Sequence, residues 1–580
     1  HSDVMPDTPT DGFAVLNNLS NSSGGGTFSE GNLRFKSHSS GWESKVATIG
    51  VTSGKWYFEG VTDSSGGQSI FGLSRNPDTY LAQYLGYYAN TWGYYLNNGK
   101  KYNSATSTAY GSTATAGDVI GIAFDADAGT LTFYKNNVSQ GVAFSGLSPL
   151  GSQPDWYLGC SSRYFSGYTT TTVNFGQDSS FNGTKIPQGN TDDNGKGDFY
   201  YAPPSGHLAL CNANLPNPDI DPAVGKAPED YFNTVLATGN ASTQSITGVG
   251  FQPDWVWMKV RSNTVNHIAY DSVRGVQNYL VPNLTNAEDT NAQGLTSFDS
   301  DGFTLGNINP NSSSSYTFAA WNWKAGTAFS NSSGTNGATI DSTGSVNTDA
   351  GFSIVSYTGD NTSNNGRIAH GLSSAPEMII AKKRNGTSNW WVYHHHLNSG
   401  TDAYHYYLLL NDTPAEGDRS SATNKVWGTA DPDTNTFGGG LFGPNGSGTK
   451  IAYCFHGVSG YSKFGSYFGN GLSDGPFVYT GFRPAWIMTK RASGGTSNWD
   501  IMDAARNTYN IVDKRLYANV DNAEPSATNF VDFLSNGFKL RNTASSQNAS
   551  GSRYIYMAFA EQPFKYSNAR SIGEINALEI

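Results

Sequence analysis

An all-β chain of several sandwich domains is the fold class this sequence predicts, and three observations carry it. Among 580 residues, charged side chains make up 14% and aromatics 13%, against roughly 25% charged in an average soluble protein. That profile fits many short strands joined by polar turns. It argues against coiled coils, helical bundles and disorder, because the Tyr, Phe and Trp content supplies ample area to bury. Period-two alternation is the second observation, as in Asn32-Leu-Arg-Phe-Lys36 and Lys55-Trp-Tyr-Phe-Glu59. The third is a stretch, Gly250-Phe-Gln-Pro253-Asp-Trp255-Val-Trp-Met-Lys259-Val-Arg261, that returns altered around Pro376–Lys382 and Pro484–Lys490. A chain of this length exceeds what one core usually organises, so several domains are expected.

Residues 1–27 are turn-rich and polar, an arm expected to lie along a neighbour or be loosely held. The chain begins with His1 rather than Met and reads as a processed or trimmed product. From residue 28 to 186 the strands alternate, and the clearest pair is Gly117–Phe124 and Thr130–Lys135, joined through Asp125-Ala-Asp127-Ala-Gly129. Four motifs in order, Gly54-Lys-Trp-Tyr-Phe-Glu59, Gly117-Asp-Val-Ile-Gly121, Thr130-Leu-Thr-Phe-Tyr134 and Val173-Asn-Phe-Gly-Gln177, resemble the SPRY domain. The resemblance implies a two-sheet β-sandwich that binds ligands through loops at one edge, without intrinsic catalysis.

A connector follows over 187–228, where Ala202-Pro-Pro-Ser-Gly-His-Leu-Ala-Leu-Cys-Asn-Ala-Asn-Leu-Pro216 reads as semi-rigid and partly packed. Within it Asp192-Asp-Asn-Gly195 has a passing likeness to a calcium loop, but the terminal bidentate Glu is missing and a plain turn is the better reading. Beyond it lie three related units, 229–327, 350–457 and 458–564, with 328–349 as a linker or exposed loop and 565–580 as a tail. In each unit a proline (Pro253, Pro376, Pro484) precedes an apolar run ending six residues later on a lysine (Lys259, Lys382, Lys490). That pattern reads as a strand entered through an extended X-Pro step. Downstream, Asn283–Glu288, Asn411–Glu416 and Asn519–Glu524 share an Asn-x-x-x-Ala-Glu spacing. Units of this length fit independent, jelly-roll-like β-sandwiches in tandem better than a solenoid. The lysines are expected to end their strands as solvated cations that discourage edge pairing.

The order of parts, SPRY-like module, connector and repeated Pro-to-Lys units, is similar to that of tail fibre and virion appendage proteins of tailed, especially marine, bacteriophages. The resemblance implies residence on a virus particle, other virion proteins and a host-surface glycan or envelope protein as partners, and leaves homo-oligomerisation, as a trimer, open.

Candidate binding residues cluster at Tyr80, Tyr84, Tyr87, Tyr88, Trp92, Tyr94 and Tyr95, rigid amphipathic rings with few charges among them; the alternative is that about half are core. Variable neighbours of the repeat, Arg274–Tyr279, His394–Tyr407 and Arg506–Lys514, are further places to expect a binding surface. No catalytic set is expected. Glu288, Glu416 and Glu524 recur in all three units, and Asp271 and Asp503 in two. A catalytic acid is rarely needed three times, whereas a turn or interdomain contact is, so a polysaccharide-cleaving carboxylate pair is the weaker reading. His394, His395, His396 and His405 form the one metal-like cluster, but strand alternation lets at most His394 and His396 share an ion, so no metal or cofactor is expected. A net charge of −11 without a basic cluster disfavours nucleic acid. No run nears about 18 apolar residues, so no membrane insertion is expected. Three scattered cysteines give neither a zinc spacing nor a disulfide framework. Two other readings stand beside host attachment: a virion connector without a receptor role, and a glycan-degrading enzyme.

Overall fold

The computed structural model describes residues 12–19, 26–37, 41–63, 68–75, 83–148, 156–163 and 169–561, without the side chains of 526–529. Strands account for 43% of the chain and helix for 4%, so the all-β prediction holds. Two compact units divide it, the first essentially His1–Asn217 and the second Pro218–Gly475 with Tyr479–Pro563.

The first unit is a sandwich of two antiparallel sheets. One carries Lys55–Thr62 between Thr169–Asn174 and Ile120–Asp125; the other orders Trp42–Val46, Trp156–Arg163, Ser69–Arg75, Thr91–Tyr95, Lys100–Asn103 and Thr106–Ala109. Alternation puts Phe58, Phe71, Leu73, Ile122, Phe133 and Leu158 between the sheets. On the opposite face of Lys55–Thr62, Tyr57 packs with Phe13, Phe199, Ala209 and Cys211. The first half of the connector therefore belongs to this unit. Leu208–Ala209 pairs in parallel with Trp56 and Tyr57, and the buried carboxylate of Glu59 accepts the N–H groups of Tyr200 and Tyr201 at 2.8 Å each. Asp192 accepts Asn194 and Lys196 N–H with one oxygen, Ala209 N–H and the Asn214 amide with the other. The calcium-like loop is thus a clasp for the connector. Residues 12–19, part of the expected loose arm, are instead pinned along their own unit, with Ala14 and Leu16 fully buried and Ala14 N–H bonded to Leu210 O at 2.8 Å.

In the second unit each copy has a main sheet in one order: Phe232–Thr238, Thr317–Trp323, Trp255–Val260, Ile268–Asp271 in the first; Phe352–Gly359, Gly448–Phe455, Met378–Lys383, Trp390–His394 in the second; Ser462–Phe468, Arg553–Ala560, Pro484–Arg491, Trp499–Asp503 in the third. A smaller sheet covers one face. In the first copy Val256, Met258, Phe303, Leu305 and Phe318 fill that sandwich. The other face of every main sheet is buried too, which is why these strands read as continuous apolar runs. It turns inward, where Trp323, Phe559, Phe455 and Trp255 meet with ring centroids 5.7, 6.3 and 6.1 Å apart in that succession. One core shared by all three copies corrects the expectation of independent sandwiches.

The repeated residues join each copy to the next and close a ring. Glu288 accepts Arg384 Nε and Nη2 at 2.9 Å and donates its N–H to Arg384 O at 2.8 Å. Glu524 makes the same three bonds to Arg261. The position of those arginines is Ala492 in the third copy; Glu416 N–H still bonds Ala492 O at 3.0 Å, and Arg553 from the adjacent strand supplies the guanidinium. Asn283, Asn411 and Asn519 each accept a strand N–H, from His267, Trp390 and Trp499, at 2.8–2.9 Å. Pro253, Pro376 and Pro484 are buried.

Two expectations are overturned here. Lys259, Lys382 and Lys490 are buried, not solvated: they occupy the inward-facing position after Trp255 and Trp257 and its counterparts, under the neighbouring copy. Lys382 Nζ donates to Thr285 O at 3.0 Å and Ser388 O at 2.7 Å, and Lys490 Nζ to Thr413 O at 2.9 Å. Burial pulls Lys259 down to about 8 and Lys382 and Lys490 to about 7. Residues 327–349 are not a linker or exposed loop. Thr327–Asn331 and Ser342–Asn347 form a hairpin that extends the second copy's sheet beside Phe352–Gly359; alternating Ser, Thr and Val suit a strand with one solvated face, which composition alone reads as loop.

Candidate functional site

The outer face of the first unit's six-stranded sheet carries the aromatic cluster. Strand alternation sends Leu158, Cys160 and Phe71 inward, and Ser161, Arg163, Ile70 and Tyr95 outward. Residues 83–90 cross this face. Ser44 Oγ donates to Gln83 O at 2.6 Å, Leu85 N–H donates to Ser161 Oγ at 2.9 Å, and Leu85 is fully buried as a plug. Close approach requires glycine at 93, where a Cβ would stand 2.2 Å from Leu85 O.

Around that plug the rings form a continuous patch. Tyr84 lies 5.4 Å from Trp42, 5.5 Å from Tyr87 and 5.5 Å from Tyr102, Tyr87 lies 5.0 Å from Tyr88, and Trp42 lies 5.4 Å from Tyr95. Most pairs are near edge-on, the arrangement ring quadrupoles favour. Arg163 covers Trp42 at 5.0 Å and, with the Tyr95 hydroxyl, donates to Gln68 Oε1 at 2.9 and 2.6 Å. Tyr87 is 38% exposed, and Trp42, Tyr84, Tyr88, Tyr95 and Tyr102 are half-buried. Burial raises Tyr84 and Tyr95, so both hydroxyls stay protonated, the proton of Tyr95 being already given to Gln68.

Of the seven predicted aromatics, Tyr84, Tyr87, Tyr88 and Tyr95 share this patch. Tyr94 is core, fully buried against Phe133, and Trp92 packs on Trp156, because both stand on the inward register of their strand. Tyr80 lies outside the described residues. Trp42 and Tyr102 were missed, since only the register of their strands brings them to the same face.

The repeated carboxylates and the imidazoles of His394, His395 and His396 have structural partners. Asp271 and Arg274 form a buried pair, as do Asp503 and Arg506 at 2.7 Å, and each arginine also reaches its copy's Glu288 or Glu524. The segments beginning at Arg274 and Arg506 therefore open on ring structure rather than on a variable surface. His394 Nε2 lies 3.2 Å from Tyr556 O, His395 Nε2 2.9 Å from Phe464 O and His396 Nδ1 3.1 Å from Ser466 Oγ, so the histidine run joins the second copy to the third. Cys160, Cys211 and Cys454 are buried thiols outside any disulfide.

A family model described as Domain of unknown function (DUF7483) matches residues 227–563. The chain belongs to the DUF7483 family. Its matched region coincides with the three-copy ring, and a SPRY model matches residues 55–184. Ahead of the DUF7483 region in the chain, then, stands a SPRY domain. Dual specificity protein kinase splA of Dictyostelium discoideum is 36% identical over 100 residues, covering 17% of this chain and 4% of that protein. Ran-binding protein 9 of Xenopus tropicalis is 32% identical over 130 residues, covering 21% of this chain and 24% of that protein. The chain thus spans under a quarter of the length of these curated relatives. Among solved structures, a human SPRY domain is 23% identical with a TM-score of 0.21, covering 25% of this chain and 93% of that one. The SPRY domain of human HERC1 is 20% identical with a TM-score of 0.21, covering 29% and 95%.

Proposed function

We propose that this protein is a non-catalytic attachment protein of a bacteriophage particle, a tail fibre-like appendage that binds a glycan or protein of the bacterial envelope through the SPRY aromatic patch. The observation that carries the reading is the run of Trp42, Tyr84, Tyr87, Tyr88, Tyr95 and Tyr102 on one rigidly backed face. Such rings offer large contact area at low entropic cost, the character of binding hot spots. The likeness of domain order to phage appendages supports the setting, and the DUF7483 ring supplies a stiff body in the same chain.

The test compares binding of the full chain and its W42A/Y87A variant to host cells and purified envelope material. Loss of binding by at least tenfold in the variant, with the melting temperature unchanged, is expected. Equal binding by both proteins, or docking of the chain on virions without any affinity for cells, would favour the connector role instead.

A further inference from the structure

The inward face of the second copy's main sheet changes character along its length. At the ring centre it presents Phe352, Ile354, Tyr453 and Phe455. Further out the alternation brings Ser356 opposite the buried Ile451, then Thr358 opposite Thr449, with Thr343 opposite Ser356 on the added hairpin. The face runs out from under the neighbouring copy and becomes a wall of hydroxyls. The tip of the hairpin, with Ser333 and Asp341, closes its far side and leaves a cavity of about 510 Å³, within the range of small-molecule sites.

This cavity belongs to the second copy for a reason visible in the register. The counterparts of Ser356 are Leu236 and Ser466, those of Thr358 are Thr238 and Phe468, and those of Thr449 are Thr317 and Arg553. In the third copy Arg553 is committed to Glu416 and Ser466 to His396, and in the first, among the described residues, no hairpin stands beside Phe232–Thr238. A fold requirement would recur three times, and this feature does not.

The lining states the ligand class. Asp341 accepts Ser333 N–H with Oδ1 at 2.7 Å, and Asp360, whose Oδ1 accepts Thr362 N–H and the Asn445 amide at 2.8 Å each, also lines the cavity. The one guanidinium that reaches the wall, Arg384 with Nη1 3.4 Å from Ser356 Oγ, is already paired with Glu288, so a phosphate, sulfate or uronate would meet two carboxylates and no free counter-charge. Apolar lining is confined to Ile340 and the edge of Tyr357, whose hydroxyl donates to Pro444 O at 3.2 Å, too little for a lipid. Hydroxyl donors and acceptors with flanking carboxylates match a ligand that is itself polyhydroxylated and uncharged.

We propose that the groove between the 327–347 hairpin and the strands Phe352–Gly359 and Gly448–Phe455 is a binding site for a neutral saccharide. The site is independent of the SPRY patch and of the attachment reading. Recognition there rests on hydrogen bonds without a stacking ring, so the expected affinity of one site is in the millimolar range.

The experiment is saturation-transfer NMR on the full chain with neutral oligosaccharides from glucan, mannan and galactan, an anionic uronate oligosaccharide, and calcium chloride alone. The variants are T358V/T449V, which removes two hydroxyls at nearly constant volume, and W42A/Y87A. Saturable binding of at least one neutral oligosaccharide, weakened fivefold or more in T358V/T449V and unchanged in W42A/Y87A, is expected. Binding abolished by W42A/Y87A and untouched by T358V/T449V would place all saccharide recognition on the SPRY unit and overturn the proposal. So would preference for the uronate, saturable calcium binding with no saccharide binding, or no binding at all, with far-UV circular dichroism showing both variants folded.

Discussion

Replacing Glu524 by Gln tests whether the three copies are one cooperative ring. Glu524 joins the third copy to the first, which are not consecutive in the chain, so no peptide linkage substitutes for the contact. Its carboxylate receives two bonds from Arg261 at 2.9 Å and one from Arg506 at 3.0 Å. Side-chain exposure is 10% for Glu524, 18% for Arg261 and 0% for Arg506. Removing one partner of a buried pair costs about 3–5 kcal/mol. The amide retains an acceptor, the Glu524 N–H bond is a main-chain bond that survives, and Arg506 keeps Asp503, so the expected loss is about 2–3 kcal/mol. Urea denaturation followed by tryptophan fluorescence reads it directly, because Trp255, Trp321, Trp323 and Trp486 lie in the shared core. A single transition of the second unit, apart from that of the SPRY unit with its own Trp56 and Trp156, moved to lower urea with an unchanged slope is expected, and E288Q should move it by a similar amount. The pH dependence has a definite sign. The two arginines overcome burial and hold Glu524 below its ordinary 4.5, so its contribution is complete above about pH 4.5 and fades as pH falls through the lowered value. Wild type and E524Q should then converge in acid. Three separable transitions of the second unit in the wild type, or a shift below about 0.5 kcal/mol in E524Q, would refute the ring as a cooperative unit.

Acid should also weaken the second unit. Burial lowers His267 to about 3 and His370 to about 4, and His394 and His396 well below their ordinary value. The unfolded chain takes up protons near pH 6.5 while the folded one does not, so stability falls as pH drops from there. Each such histidine costs up to about 2 kcal/mol by pH 5, and the raised Asp500, at about 6, offsets one site. Urea midpoints at pH 7 and pH 5 check this, and equal midpoints would contradict it. In the SPRY unit, Glu59→Ala removes the acceptor of Tyr200 and Tyr201 N–H; faster hydrogen exchange at those two amides by at least tenfold, with Phe58 unchanged, is the expected outcome.

Much of the architecture was legible from residues alone, and the misses share a cause. Prolines, lysines and the Asn-x-x-x-Ala-Glu spacing located the three copies because backbone geometry is repeated wherever the interface is. What they do was not legible, since a lysine at a strand end carries the same letter whether it meets water or the carbonyl of Thr285. The apolar runs were readable as strands, yet burial on both faces, the mark of a third partner, looks the same as burial in a deep sandwich. In the SPRY unit Tyr84 and Tyr87 were recognisable as surface rings by density, but Trp42 and Tyr102 join them only through pairings across the sheet.

The ring also explains where the copies were free to diverge. Register places Asp271, His394 and Asp503 at one equivalent position. Each meets the copy next round the ring: Asp271 accepts the Tyr453 hydroxyl at 2.7 Å, Asp503 accepts Trp321 Nε1 at 3.1 Å, and His394 faces Tyr556 O. Where His394 replaces aspartate, the facing position of Tyr453 and Trp321 is Met557, which has no donor, and the imidazole meets the main-chain carbonyl of Tyr556 instead, so the polar group there is not buried without a hydrogen bond. Interface positions are therefore coupled in pairs, whereas the outer strand edges are not. An insertion at an edge costs little more than loop closure, and the 327–347 hairpin is such an insertion. A ligand-binding difference among the copies is thus expected at the rim of the ring, where the hydroxyl-lined groove lies, rather than at the repeated residues that close it.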